Sequence, residues 1–339
     1  MVPLILSVII PVHNGSEDFR HCLQEIKRSS RIPDELIVVD DSSSDSSPEL
    51  ALSFGAQLLA TRDGPHGPAA SRNRGAAIAR GDVLVFIDSD VVVHIDTLAL
   101  IEKYLLEHPD LSALFGSYDD APPKQGIVSR YKNLQHHYIH QHSQREAATF
   151  WAGCGAVRRE IFCKIGGFDE RYTRPSVEDI ELGLRLRNSG HRIWLCPEIQ
   201  ATHLKRWNLR SLLRSDILDR AVPWSELIAS TSHLPSDLNL DAKSRLSVVM
   251  VWAGLIFLVL GIWSNWLWVI SLCCVTVLIR LNLDLYRFFH RQGGLGFSLC
   301  AIGLHWLYYI YSSITFGMVM IWHLLRRIIG ITRPTFGST

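Results

Sequence analysis

The stretch Val83-Leu84-Val85-Phe86-Ile87-Asp88-Ser89-Asp90 decides the fold of this chain. Its five consecutive apolar residues predict a buried strand of the kind found in parallel sheets. The strand ends in two carboxylates at the edge where open α/β sheets bind their ligands. If the chain stays extended through Ser89, Asp88 and Asp90 point to the same side and can address one cation or diphosphate. An acidic turn or helix cap is the alternative interpretation of an isolated Asp-Ser-Asp.

Apolar runs of strand length alternate with helical patterns on both sides of that stretch, as they do in a series of βαβ units. Pro48 and Pro68 predict helix starts, because proline at the first helical position loses no needed N–H. The predicted strands cover residues 4–11, 35–39 and 83–87, and the predicted helices cover residues 16–30, 47–54, 68–80 and 95–107. The predicted fold class is α/β, with a mostly parallel sheet between helices.

Carboxylates also occur at the ends of two other predicted elements. Asp40-Asp41 follow the second strand, and Glu178-Asp179 open an amphipathic stretch with a helical pattern. Acidic residues in the first turn complement the helix dipole, so an ordinary cap is the alternative interpretation of Glu178-Asp179. Their recurrence at element ends nevertheless indicates a shared acidic site.

Composition excludes some classes of partner. The formal net charge is +1, which argues against a broad basic surface, and we expect no nucleic-acid partner. The seven cysteines are scattered without a metal-type Cys-x-x-Cys pair, which predicts reduced thiols and favours a cytosolic domain.

Two long hydrophobic blocks lie at the end of the chain. No Asp, Glu, Lys or Arg occurs in residues 246–279 or in residues 292–325. Both blocks exceed the ~20 apolar residues that span a bilayer. The sequence therefore predicts a soluble domain over residues 1–225, a linker over 226–245, membrane-embedded helices over 246–327 and a cytoplasmic tail over 328–339. The first residues lack a basic region before the first strand, so we expect no signal peptide and a soluble domain that stays in the cytoplasm.

Basic residues flank both hydrophobic blocks, which predicts that each block begins and ends on the cytoplasmic side. As one helix, residues 247–279 would be roughly 50 Å long, far more than the ~30 Å hydrocarbon core. A hairpin that turns at Ser264-Asn265 fits better. The second block contains Trp306, Tyr308, Tyr309 and Tyr311. It is a span, a re-entrant hairpin or an in-plane helix, and the predicted number of crossings is two to four.

Five motifs in the first two thirds of the chain stand in an order that resembles family 2 inverting glycosyltransferases. They are SVIIPVHN at residues 7–14, VVDDSSSD at 38–45, AASRNRGAAIARGD at 69–82, DSD at 88–90 and VEDIELGLRL at 177–186. The resemblance implies the GT-A nucleotide-sugar-binding fold. It also implies a metal-dependent, hexosyltransferase-type enzyme that inverts the anomeric carbon.

The resemblance implies a Mg2+ or Mn2+ site. Asp90 would be the direct ligand, and Asp88 would turn toward the ribose or sugar and reach the metal through water. Such hard cations prefer oxygen ligands and bridge protein carboxylates to substrate phosphates. His203, after residues 199–202, falls where some members place a further metal ligand. An exposed histidine at a strand end is the equally weighted alternative for His203.

The resemblance also implies how the nucleotide is held. Pro11, Val12 and His13 would border the base, and Asp40 would accept a hydrogen bond from an imide N–H, which favours uracil. Asp41 would instead cap the serine-rich turn that follows it. Arg72 would contact the diphosphate or the ribose, since a guanidinium can hold phosphate through two hydrogen bonds.

Two further segments are implied to touch the sugar and the acceptor. Asp179 is the implied catalytic base, with Glu178 beside it. Gly153 lies in a segment beneath the donor sugar, where glycine permits close approach of the backbone. A basic stretch after the acids lacks the Gln-x-x-Arg-Trp motif of processive members, which favours transfer of a single sugar. Its side chains fit a diphosphate, an acceptor phosphate, lipid headgroups or simple solvation, and include Lys205, Arg206, Arg210, Arg214 and Arg220.

A histidine-rich segment has no assigned role. His136 and His140 are one helical turn apart, but no acidic residue or cysteine lies within the segment to complete a zinc site. A polar helix that faces the acceptor or the membrane surface is the favoured interpretation of these histidines and of His137 and His142.

The resulting prediction is a membrane-anchored glycosyltransferase that moves one sugar from a nucleotide sugar, with UDP-sugar favoured, to a lipid or lipid-linked acceptor. The alternative is a catalytically silent membrane scaffold that only binds a nucleotide sugar.

Overall fold

The structure is a computed structural model that describes residues 3–61, 63–231 and 241–329. The described residues form two compact units, the first within residues 1–125 and 139–206, and the second within residues 126–138 and 207–339. Compact packing does not report which residues act in catalysis or enter a membrane. The predicted boundaries at residues 225, 245 and 327 therefore stay predictions, and most of the predicted tail lies outside the described residues.

The first unit is built on one mixed, eight-stranded sheet with the order β3-β2-β1-β4-β7-β6-β8-β5. Strands β1, β2, β3 and β4 pair in parallel, as do β6 and β8, while β7 runs antiparallel to both β4 and β6. The strands are β1 Leu6–Val12, β2 Glu35–Asp41, β3 Gln57–Thr61, β4 Val83–Ile87, β5 Val91–Val93, β6 Leu111–Tyr118, β7 Cys154–Arg158 and β8 Arg192–His203. The predicted α/β class and mostly parallel sheet are confirmed.

Helices cover both faces of this sheet, which explains why its strands carry continuous apolar runs. In β1, Val8 and Ile10 belong to one buried apolar cluster and Ile9 to another. Helix α1 buries one apolar face, formed by Phe19, Cys22, Leu23 and Ile26. The helices of this part of the chain are α1 Ser16–Arg28, α2 Ser47–Ser53, α3 Pro68–Ile78, α4 Thr97–Glu107, α5 Ile127–His142, α6 Arg159–Ile165 and α7 Glu178–Asn188.

The sequence did not reveal four of the strands, β3, β5, β6 and β7. β6 and β7 are buried along almost their whole length. They therefore lack the alternation of apolar and polar residues that marks a half-buried strand, and each contains a glycine. β5 has only three residues. The histidine-rich segment without an assigned role lies in α5.

The second unit is helical. After α8 Leu209–Arg214, a π-helix over Ser215–Ala221 leads into α9 Val222–Thr231. Three further helices follow, α10 Ala242–Leu260, α11 Trp266–Leu281 and α12 Leu283–Ile329. Gly294, with φ 70° and ψ −173°, interrupts the helical backbone of α12.

Helices α10 and α11 form a hairpin, and the predicted turn at Ser264-Asn265 lies between them. The Trp268 ring occupies the space that a Cβ at Gly261 would need, and its Nε1 donates to the Leu258 carbonyl at 3.1 Å. In the described part of the chain, α10 and α12 are long and apolar enough to cross a membrane.

Candidate active site

The two acidic motifs meet at the consecutive residues Ala152 and Gly153. The Asp88 N–H donates to the Gly153 carbonyl at 3.2 Å. The Ala152 N–H donates to Asp179 Oδ2 at 3.1 Å. The antiparallel pairing of β4 with β7 places this segment beside the end of β4, because Ile87 lies opposite Cys154. The fold thus gathers motifs that are far apart in the sequence.

Arg72, on α3, connects the same two motifs through its side chain. Its Nη2 donates to Asp88 Oδ1 at 2.7 Å, and its Nη1 donates to Glu178 Oε1 at 2.8 Å. Arg72 is only 3% exposed. Both terminal nitrogens therefore face carboxylates inside the protein, and the predicted contact with a donor diphosphate or ribose stays a prediction.

Asp179 has the electrostatic character of a general base. Its carboxylate accepts from the backbone N–H groups of Ala152 and Ile180, and the residue is half-buried. Burial and the neighbouring Glu178 carboxylate raise the pKa of Asp179 to about 7, although Arg72 and the backbone donors act in the opposite direction. Proton transfer is most effective when the pKa of the base lies near the working pH.

Glu178 differs from its neighbour because it is buried and both of its oxygens are engaged. Oε1 accepts from Arg72, and Oε2 accepts from the Ser176 N–H at 2.8 Å. Of the two carboxylates predicted to be catalytic, only that of Asp179 lies at a partly open position. The geometry favours Asp179 for proton transfer and Glu178 for support, while both predicted roles remain untested.

Asp90 and His203 lie together at the end of the sheet. The pairing of β5 with β8 puts Val91 opposite His203, and the Leu204 N–H donates to the Asp90 carbonyl at 2.9 Å. His203 Nε2 is 3.5 Å from Asp90 Oδ2. Burial acts to raise the pKa of Asp90, but His203 and Lys205 hold it below the usual range. Asp90 therefore stays ionised near neutral pH.

This arrangement fits a divalent cation that is completed by substrate oxygens. Among the described residues, no group of three or more His, Cys, Asp or Glu side chains is gathered around one metal position. A cation such as Mg2+ commonly takes only one or two protein carboxylates together with substrate phosphates and water. Asp90 with His203 meets that pattern, and Asp88 keeps Oδ2 clear of Arg72.

Aromatic rings that the sequence did not single out support the site. The Tyr118 ring stacks on His203 with centroids 4.5 Å apart, and it meets the Trp151 ring edge-on with centroids 4.7 Å apart. The Trp151 ring lies 2.6 Å from where a Cβ on Gly153 would be. A side chain at position 153 would therefore displace the Trp151 ring. Tyr118 went unnoticed because β6, which it ends, gives no clear sequence signal.

The candidate nucleotide end of the site lies where β1 and β2 end side by side. Val12 pairs with Asp40 in the parallel register. Asp40 is buried and accepts from the Ser43 N–H at 3.3 Å. His13 Nδ1 is 2.7 Å from the Asp41 carbonyl oxygen. Pro11, Val12, His13 and Asp40 thus share one sheet edge, although their contacts with a nucleotide remain predictions.

The role predicted for Asp41 is wrong. Its carboxylate accepts from the Gly67 N–H at 2.8 Å and the His66 N–H at 2.9 Å, so it holds the loop before α3. Asp40, not Asp41, holds the serine-rich turn through Ser43. The next residue of a strand points to the opposite side, so two adjacent aspartates at a strand end serve different loops.

The histidine segment forms part of α5. His140 is buried, and its Nδ1 lies 3.2 Å from the Gly116 carbonyl oxygen. The His137 ring stacks on Phe288 with centroids 5.7 Å apart. The described residues gather no metal-binding group here, so the zinc alternative gains no support.

Comparisons with known proteins agree with this fold. Residues 7–166 match the family model described as Glycosyl transferase family 2, and residues 132–206 match one described as N-terminal domain of galactosyltransferase. The validoxylamine A glucosyltransferase of Streptomyces hygroscopicus subsp. limoneus is 26% identical over 60% of this chain and 52% of its own length. The pre-mycofactocin glycosyltransferase of Mycobacterium tuberculosis is 29% identical over 60% of this chain and 44% of its own length.

The aligned stretches cover between 27% and 52% of the lengths of four curated relatives, including these two. Among solved structures, the mannosyltransferase PcManGT of Pyrobaculum calidifontis, in complex with GDP-Man and Mn2+, is 18% identical with a TM-score of 0.56. That similarity covers 98% of this chain and 89% of the other. At this identity it speaks for the fold alone.

The sheet, the carboxylates at its edge and this structural similarity define a protein with a GT-A fold followed by helices. The match of residues 7–166 to the family model supports the resemblance to family 2 glycosyltransferases.

Proposed function

We propose that this protein transfers a single sugar from a nucleotide sugar to a lipid or lipid-linked acceptor at the cytoplasmic face of a membrane, with inversion of the anomeric carbon. The observation that carries the proposal is the meeting of Asp88 and Asp179 at Ala152-Gly153. A group that can address the donor diphosphate and a group that can take a proton from the acceptor therefore share one backbone segment.

In the proposed reaction, Asp179 removes the proton of an acceptor hydroxyl as its oxygen attacks the anomeric carbon. Its two backbone donors orient the carboxylate, and burial keeps its basicity near that needed at neutral pH. The nucleoside diphosphate leaves on the opposite face of the sugar, which gives inversion. A phosphate acceptor is already ionised near neutral pH and needs no such base.

Asp90 and His203, with Asp88 on the other side, would hold Mg2+ or Mn2+. When bound, the cation neutralises the charge that develops on the leaving diphosphate. The exposed Lys205 adds positive charge beside Asp90 and suits the same diphosphate. The PcManGT complex contains Mn2+, which agrees with this metal class.

A uridine donor is favoured, with Asp40 as the acceptor of an imide N–H. Asp40 is buried at the sheet edge beside Val12, and a buried carboxylate at that position selects for a base with an N–H donor. Guanine also carries such a donor, and the PcManGT structure contains GDP-Man. The proposed preference for uridine must therefore be tested against guanosine.

The exposed apolar surface of the second unit supports a membrane location for the acceptor. In the α10–α11 hairpin, Ile262 and Trp263 at the turn are 72% and 75% exposed. Exposed tryptophans are enriched where a membrane segment meets the headgroups. We therefore propose multi-pass anchoring over residues 246–327, with the catalytic domain in the cytoplasm.

A donor panel tests the enzymatic part of the proposal. UDP- and GDP-sugars are screened by thermal shift with and without Mn2+, since a ligand at 100 times its Kd stabilises by about 2.7 kcal/mol. The donor that stabilises the protein is then supplied with a lipid extract, and the anomeric configuration of the product is read by NMR. A protein that binds donors but neither transfers nor hydrolyses any of them would favour the silent scaffold. Retention of the anomeric configuration would contradict inversion.

A separate test addresses the membrane part. A tag placed after Thr339, which lies outside the described residues, is expected on the cytoplasmic side because basic residues flank both hydrophobic blocks. Protease access to that tag only from the outer face would contradict an even number of crossings.

A further inference from the structure

Arg72 is a buried cation. Its side chain is only 4% exposed, and the Glu178 side chain it pairs with is 5% exposed. The Phe168 ring lies 5.4 Å from its guanidinium carbon. Among the described residues, Arg72 Nε has no hydrogen-bond partner. A charge is costly to bury, so its place between two acidic motifs calls for an explanation.

We propose that Arg72 is a positioning residue that fixes Asp179 by holding Asp88 and Glu178 together. This inference rests on the proposed function, in which Asp179 is the base. Arg72 acts through the carboxylates it binds and does not itself touch the reacting atoms.

The contacts on Glu178 explain how the base is held. Glu178 is the first residue of α7, and its carboxylate is fixed from both sides by Arg72 and by the Ser176 N–H. The position of the first turn of α7 is therefore tied to α3. Asp179, the next residue, then directs its carboxylate to the Ala152 N–H. Loss of the Arg72 bridge would release this turn.

The contact with Asp88 extends the same bridge to the donor side. Arg72 neutralises Asp88 through Oδ1, while the Asp88 N–H is bound to Gly153. Without Arg72, the partly exposed Asp88 and the buried Glu178 would be two like charges without a shared cation. The guanidinium holds its donors in a rigid planar fork, so Arg72 fixes both carboxylates in one geometry, whereas an ammonium group is a point charge on a flexible stem.

The bridge has an electrostatic signature that a purely structural contact lacks. The charged side chains acting most strongly on Asp179 are Glu178, on its own helix, and Arg72, on α3. Glu178 raises the pKa of Asp179, and Arg72 lowers it. Removing either charge must therefore move the titration of Asp179, and the two removals must move it in opposite directions.

The experiment measures kcat/KM against pH for the full chain, as UDP or GDP release from UDP-glucose or GDP-mannose with Mn2+. In the pH profile, kcat/KM falls on the acidic side with the pKa of the base, and this part of the profile is the acidic limb. Arg72→Gln is expected to raise the pKa of the acidic limb, and Glu178→Gln is expected to lower it, each by about one unit. At pH 6, Arg72→Gln should then lose about tenfold more activity than at pH 9. Arg72→Lys should return the pKa of the acidic limb toward its original value, because it restores the positive charge at position 72. Its kcat should stay low, because lysine does not restore the paired hydrogen bonds to Asp88 and Glu178.

Arg74→Gln is the matched control, since it removes the same charge from the same helix at a half-exposed position. It should leave the acidic limb unmoved. Where a variant turns over too slowly, the carboxyl carbon of Asp179 can be titrated by NMR, with its signal assigned by its absence in Asp179→Asn. Thermal melting at pH 8 verifies that each variant is folded.

The proposal is overturned if the two Gln variants leave the limb in place or shift it in the same direction. If the acidic limb does not shift but Asp179→Asn is inactive, the positioning role of Arg72 is rejected while Asp179 remains the proposed base. Full turnover in Asp179→Asn would instead reject the base itself.

Discussion

Each unit contains a cationic side chain that pairs with a buried carboxylate, and the two clusters differ in one respect. In the first unit, Arg72 pairs with Asp88 and Glu178, and a third carboxylate, Asp179, adjoins them. In the second unit, Lys132 Nζ donates to Asp216 Oδ1 at 2.6 Å, and the Tyr311 hydroxyl donates to Asp216 Oδ2 at 2.6 Å.

The difference lies in the balance of charge. Asp216 has a cation of its own, and although burial opposes it, Lys132 keeps the pKa of Asp216 below the usual range. The Arg72 cluster holds more carboxylates than cations, and the pKa of Asp179 rises to about 7. An excess of buried carboxylates marks a group ready to take up a proton, whereas a matched pair marks a structural contact.

The largest expected effect is that of Asp179→Asn. This change keeps the size of the side chain but removes its basicity, so turnover should fall by ~100 to 10,000-fold while donor affinity stays unchanged. Single-turnover kinetics and calorimetric titration measure the two quantities. Loss of donor binding as well would identify Asp179 as a helix cap, and a much smaller loss of turnover would indicate a phosphate acceptor.

Lys132→Met tests the structural side of the comparison. It removes the cation that donates to the buried Asp216 and leaves only the more indirect charge of Arg220, and we expect a loss of about 3 kcal/mol in the free energy of unfolding. The matched control is Lys124→Met, because Lys124 makes a half-exposed pair with Asp18 that is worth ~0 to 1 kcal/mol. Equal loss in the two variants, read from chemical unfolding, would contradict the distinction. In the pH profile of kcat/KM, Lys132→Met should leave the pKa of the acidic limb unchanged.

Asp90→Ala should weaken donor binding in the presence of Mn2+ by about 10 to 100-fold, or ~1.4 to 2.8 kcal/mol. The reason is loss of the ionised carboxylate beside His203. Titration with and without Mn2+ measures the effect. Asp96→Ala, at an exposed position before α4, serves as the control. Mn2+-stimulated binding that survives in Asp90→Ala would refute the metal role.

The smallest effect is the pH dependence of the unaltered protein. The base must be ionised, and the raised pKa of Asp179 means that the ionised fraction falls as the pH drops below about 7. We expect kcat/KM to decline about tenfold per unit on that side. A limb near pH 4 would show that Asp179 titrates like an ordinary aspartate or does not act as the base.

The sequence predicted the elements whose patterns are local. The strand Val83–Ile87 and the start of α3 at Pro68 were correct to the residue, because a buried apolar run and a proline at a helix start are each readable by themselves. The hairpin turn between α10 and α11 was also correct. Strands β6 and β7 could not be predicted, since full burial and glycines remove the alternation that reveals a strand.

For the site, the sequence by itself determined which residues are candidates and, through the order of its motifs, the resemblance to a family. Only the tertiary structure decided which partner each candidate has. It bound the Asp41 carboxylate to the loop before α3, placed Arg72 between Asp88 and Glu178, and left Asp179 half-buried beside Ala152. Spacing along a chain fixes the side of a strand or helix on which a carboxylate lies. Its partner and its exposure depend on which distant elements pack against it, and these set its charge and its pKa.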